Sequence, residues 1–159
     1  MSQRVGSIKK LLSSARAMRW GMNIWPPFLF TGVRIQHISA DFRVARIKLA
    51  KTPFTTNYFG TQFGGTMFSM VDPFWAFMLY RNLGSDYVVW DRRGEIDFES
   101  PGRTALYAQV LLTEEVIEGI RTRADAGEKV LPWFEVELLD RSGALVAKAR
   151  KQVYVRKRR

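Results

Sequence analysis

The sequence predicts an α+β fold: a curved antiparallel sheet of about six strands wrapped around one long apolar helix, with a further helix at the N-terminus. Three observations predict it. From Thr66 to Tyr80 the chain is apolar on nearly every side, which places this helix at the centre of a domain rather than on its surface. Runs before and after it alternate apolar and polar residues with period two, the mark of half-buried strands. The length of 159 residues, 47% of them hydrophobic and 13% aromatic, suits one domain with a sizeable core.

Residues 7–22 read as the N-terminal helix. Ile8, Leu11, Leu12, Ala15 and Met18 recur at helical spacing, Lys9, Lys10, Arg16 and Arg19 lie on the other side, and Ser7 suits the N-cap. Trp25-Pro26-Pro27 stops that helix, because consecutive prolines cannot continue it. This region, 1–28, precedes a domain expected over 29–156, and 157–159 form a basic tail. Within the domain, 32–39 and 43–50 alternate as a hairpin around Ala40-Asp41. The glycine-punctuated loop Asn57-Tyr58-Phe59-Gly60-Thr61-Gln62-Phe63-Gly64-Gly65 then leads into the apolar helix, which Asn82-Leu83-Gly84 ends. Strand patterns follow at 86–91, 94–99, 105–113, 130–140 and 144–156. The charged stretch 114–125 fits either a short helix or an excursion. Asp140-Arg141-Ser142-Gly143 is a hairpin turn.

Composition removes several chemistries. With no cysteine there are no disulfides, thiolate nucleophiles or cysteine metal sites, and the single histidine, His37, cannot build a multi-histidine centre, so no metal is expected. The net charge is +10, and no acidic residue precedes Asp41. Such a surface attracts polyanions, whether nucleic acid, anionic lipid or the phosphates of a nucleotide-bearing cofactor, and it also serves simply as a solubilising surface. The basic residues are not interleaved with aromatics in a nucleic-acid motif, so nucleic acid is not the expected partner. A membrane surface is a weaker alternative, resting on the basic N-terminal helix. Gly64-Gly65, Asp72 and Pro73 argue against a membrane span. No signal-peptide pattern is present, and a cytoplasmic location is expected.

One carboxylate, Asp72, stands in the apolar helix. Gly65 lies seven residues before it, two turns and about 10 Å along the axis. The first N–H groups of a helix lack internal partners, and glycine lets a carbonyl approach them closely, so Gly64 and Gly65 outline an oxyanion hole. At that spacing Asp72 of the same helix falls short of a carbonyl held there, whereas Asp72 of a second subunit reaches it. Two readings of Asp72 fit: a group that acts on substrate, or the cap of a helix restarting at Pro73. Asn57 likewise fits a site or a turn. Met67, Met70, Phe74, Trp75, Phe77 and Met78 fit core or the wall of an acyl tunnel, and Arg92, Arg93 and Arg103 fit surface charge or phosphate contacts.

Gly60-Thr61-Gln62-Phe63-Gly64-Gly65, Asp72-Pro73, Tyr87-Val88-Val89-Trp90-Asp91 and Ile96-Asp97-Phe98-Glu99-Ser100-Pro101-Gly102-Arg103 resemble the hotdog-fold acyl-CoA thioesterase superfamily, on its phenylacetate-pathway side. They resemble most an uncharacterised branch with Phe-Gly-Gly and Asp-Pro. The resemblance spans residues 30–156. It implies a homodimer or homotetramer with the site between subunits, and an acyl thioester as substrate. Coenzyme A enters as part of that substrate, with no further cofactor. It assigns Asn57, the helix-start glycine at Gly64 or Gly65, and Asp72 to catalysis; Phe63, Met67, Phe68 and Arg103 are expected to contact the substrate. Many relatives carry histidine where this chain has Phe63, a departure that also suits a non-catalytic binder of acyl groups or acyl-CoA.

Overall fold

The computed structural model describes residues 14–158. Helix α1 (Ala15–Ile24) begins at Ser14, whose hydroxyl accepts from the Ala17 N–H. The expected cap at Ser7 and the helical pattern before Ser14 lie outside the described residues. Pro26-Pro27 does more than end α1. It opens a one-turn helix, α2 (Pro26–Leu29), because proline's fixed φ and missing N–H suit a first helical turn.

The sheet has six strands, all pairings antiparallel, in the order β1-β2-β4-β5-β6-β3. They are β1 (Val33–Ile38), β2 (Val44–Leu49), β3 (Tyr87–Phe98), β4 (Leu106–Leu111), β5 (Trp133–Leu139) and β6 (Leu145–Lys157). The runs 86–91 and 94–99, expected as two strands, are one: β3 continues through a bulge between Asp91 and Arg93 and pairs with β6 along its whole length. The bulge shifts the alternation by one residue, and this breaks the period in the sequence. Lys157, placed in the tail by its charge, still belongs to β6.

The charged stretch is a helix, α5 (Glu114–Asp125), capped by Thr113 and burying Ile117, Ile120 and Ala124. The turn at 140–143 forms as its residues predict. Asp140 Oδ1 accepts from the N–H groups of Ser142 and Ala144, and Gly143 takes φ 87°. Between β2 and the next helix, Pro53–Thr55 make one 3-10 turn.

The central helix runs in two pieces, α3 (Gly64–Ser69) and α4 (Phe74–Leu83), joined by a turn through Pro73. Proline has no N–H to continue the ladder and disfavours helical geometry at the residue before it, Asp72. Met70, Val71, Phe74, Trp75, Met78 and Leu79 are fully buried against the sheet's inner face. Trp75 stacks on Phe134 of β5 with ring centroids 5.9 Å apart.

The two sheet edges differ. Along β1, the Asn23 amide of α1 takes both the N–H and the carbonyl of Ile35 (2.7 and 3.0 Å), and Arg19 donates to the Gln36 carbonyl. Helix side chains therefore occupy the positions a further strand would use. β3, the longest edge, has no strand beyond it, and among the described residues no side chain bonds its outer backbone.

Candidate active site

The loop before α3 is tied at both ends. Thr56 bridges Gln62, and the Gln62 N–H donates to the Gly102 carbonyl. The Gln62 side chain, 1% exposed, donates to the Ala50 and Thr104 carbonyls. This fixes the start of α3 against the sheet. Sequence reasoning missed Gln62, since a glutamine in a loop carries no pattern.

Asn57 holds the loop's tip. Its Oδ1 accepts from Phe59 N, Thr61 N and the Thr61 hydroxyl at 3.0–3.1 Å. The turn role is thus present, and Asn57 still stands in the wall of a cleft of about 510 Å³, with Phe59, Gly64, Met67, Phe98 and Arg103.

A second cleft of about 390 Å³ also meets the helix start, between Phe63, which precedes α3, Gly65 and Phe68 of α3, and Gly94, Ile96 and Phe98 of β3. Gly64 and Phe98 belong to both clefts. A Cβ on Gly64 would stand 2.7 Å from the Phe98 ring, so glycine is what lets this aromatic lie against the backbone there. The N–H groups of Thr66 and Met67 bond the Phe63 carbonyl, whereas those of Gly64 and Gly65 have no acceptor among the described residues. Phe63 is 56% exposed, and its ring lies where a Cβ on Gly65 would stand, 2.7 Å away, while Gly65 itself remains exposed.

Asp72 lies within the helix break and in the wall of neither cleft. It does not cap α4, which has no side-chain cap. Its Oδ1 instead accepts from Lys151 Nζ at 2.6 Å. Lys151 is 3% exposed, stands 3.4 Å from Asp91 Oδ1, and lies 5.5 Å over the Phe68 ring. Burial pushes the Asp91 carboxyl above its ordinary value; Lys151 pulls it down, and the neighbouring Asp72 charge pushes it up.

Sequence reasoning missed Lys151 and Asp91, although β6 carried a signal. Ala147, Ala149, Val153 and Val155 occupy its buried phase, and Lys151 is the charge in that phase. Arg92 and Arg93 sit at the β3 bulge, apart from both clefts, so of the three arginines only Arg103 reaches the site. Among the described residues no cluster of His, Cys, Asp and Glu suits a metal ion, and no helix is long and apolar enough to cross a membrane. His37 is exposed on β1.

A curved six-stranded antiparallel sheet closed around a central helix, with a glycine pair opening that helix beside the long edge strand, defines a protein of the hotdog fold. The chain belongs to the family described as a domain of unknown function, DUF4442, whose model matches residues 14–155. Solved structures share the fold. PA5026 of Pseudomonas aeruginosa, described as a protein of unknown function and probable thioesterase, aligns with TM-score 0.79 and 18% identity over 90% of this chain and 95% of its own. A protein of unknown function from Chlorobaculum tepidum aligns with TM-score 0.71 and 12% identity over 91% and 98%. The thioesterase HI1161 of Haemophilus influenzae gives 0.67 and 11% over 91% of each chain. The sequence has no match among curated proteins.

Proposed function

We propose that the protein hydrolyses an acyl thioester, with coenzyme A or a similar phosphopantetheine carrier as the leaving thiol, in a site completed by a second copy of the chain. The observation that carries this reading is the pair of unpartnered N–H groups at Gly64 and Gly65, opening beside a cleft walled by Phe59, Met67 and Phe98. Two aligned donors stabilise a developing oxyanion, and losing one costs about 3 kcal/mol of barrier. Arg103 at the same cleft suits the carrier's phosphate.

The hydrolytic step needs a base. Asp72 of the same chain bonds Lys151 of β6 and lines neither cleft, which supports Asp72 of the partner subunit as the carboxylate that serves this helix start. That carboxylate takes a proton from water as the water oxygen bonds the thioester carbon. The displaced carbonyl electron pair rests on the carbonyl oxygen, which accepts from the Gly64 and Gly65 N–H groups; it then re-forms C=O as the C–S bond breaks, and the leaving thiolate takes the proton that the carboxylate removed from water. The bare edge of β3 supports such a dimer, since it offers an unpaired strand next to both clefts.

A second reading, acyl-thioester binding without hydrolysis, is favoured by Phe63, which puts an aromatic ring where many relatives carry histidine. Hydrolysis rates across acyl-CoA chain lengths separate the two. Wild type should turn over, and Asp72→Asn should lose about 100-fold or more in kcat. Tight binding without turnover would establish the second reading instead.

A further inference from the structure

We propose that Lys151 is a positioning residue for Asp72, and that Asp91 holds Lys151 in place. The working carboxylate is then the front of an Asp72–Lys151–Asp91 unit anchored in the sheet. The inference rests on the hydrolytic reading of Asp72 given above.

Three features carry it. First, an ammonium group in this position is costly unless it is paired. Lys151 occupies the core-facing phase of β6, its side chain 4% exposed, beside Phe134 of β5 and Gly94 of β3. Among the described residues its ammonium group meets two carboxylates and a ring face: Asp72 Oδ1 at 2.6 Å, Asp91 Oδ1 at 3.4 Å, and Phe68. Second, the Asp72 side chain has no other bond among the described residues, although its N–H donates to the Phe68 carbonyl. The turn through Pro73 removes it from the helix ladder on one side, and α4 takes no cap from its side chain. The bond to Lys151 is therefore the one that sets the direction of the carboxylate. Third, the unit is ordered by exposure, the Asp72 side chain being 44% exposed with the lysine buried behind it. One carboxylate oxygen is tied to the protein, and the half-exposed side chain keeps a face open to water or substrate.

A simple structural salt bridge would also tie the helix break to the sheet, so the test uses readouts that such a role leaves unmoved. Three variants are compared with wild type: Lys151→Met, Lys151→Arg, and Lys151→Met combined with Asp91→Asn, which removes the like-charge pair left by the first. For each, kcat and KM on a medium-chain acyl-CoA are measured with the melting temperature. Carboxyl titrations are followed by NMR.

Positioning predicts that the double variant keeps its fold but loses roughly tenfold to 100-fold in kcat with KM little changed, and that Lys151→Arg recovers part of the loss. In Lys151→Met, Asp91 should titrate at higher pH than in wild type, because the group that pulls it down is gone. Folded variants with wild-type kcat would overturn the proposal and leave hydrolysis standing. A wild type with no turnover would overturn both. An unchanged Asp91 titration in Lys151→Met would overturn the pairing of Lys151 with Asp91, whatever the activity.

Discussion

At Asp41, Ser39 and Arg43 converge on one carboxylate. The Ser39 hydroxyl donates to Oδ1 and the Arg43 guanidinium to Oδ2, and together they lower its pKa from 3.8 to about 2. A carboxylate whose pKa is depressed by folding contributes stability above its unfolded value, and that contribution is lost as pH falls through the folded one. The window here runs from about pH 4 down to about pH 2. The melting temperature of wild type should therefore fall more steeply across that window than that of Asp41→Asn. Equal slopes would show that the Ser39–Arg43 arrangement does not persist in solution. Asp91 has the opposite sign: burial raises its pKa, so its ionisation costs stability as pH rises above 3.8 through the folded value. Neither effect was legible in the sequence. Asp41 read only as a turn residue, and Asp91 was hidden by a bulge that no local pattern announces.

Helix α3 lies along β3 through two close approaches, Gly64 under Phe98 and Phe68 over Gly94. A Cβ at Gly94 would stand 2.3 Å from the Phe68 ring, so Gly94→Ala must displace that ring, and with it one face of the Lys151 environment. The cost should be about 1–3 kcal/mol, read as a lower urea midpoint with an unchanged m-value; a wild-type midpoint would mean that the ring moves freely. At this scale the sequence was most readable where one period ran undisturbed. The β1–β2 hairpin, the apolar centre and the turn at 140–143 all follow from local residues. It was least readable where two elements negotiate. Gly64-Gly65 was legible as a helix start, but not Gly94, whose role is set by a phenylalanine 26 positions away in the chain. The helix break was legible from Pro73. That Asp72 would turn to a strand 79 residues on, rather than to its own helix, was not.

For the whole molecule, the position of Asp72 outside both clefts makes assembly a condition of the proposed chemistry. A complementation experiment addresses it directly. Asp72→Asn supplies an intact helix start without the carboxylate, and Gly65→Val supplies the carboxylate with a blocked start. Each alone should be inactive. After co-refolding in equal amounts, half the dimers are mixed and each has one intact site, so about a quarter of wild-type activity should return. No recovery would place the carboxylate and the helix start in one subunit, or discard Asp72 altogether. The two sheet edges bear on how far such assembly goes. A sheet open at both ends accepts neighbours on either side, and its growth has no natural stop. Here Asn23 and Arg19 already bond one edge, at Ile35 and Gln36, and among the described residues no side chain bonds the outer backbone of the other, β3. Two molecules that paired β3 with β3, as in the proposed dimer, would cover each other's bare edge. A side-chain amide on α1 thus leaves β3 as the edge that the proposed dimer would use.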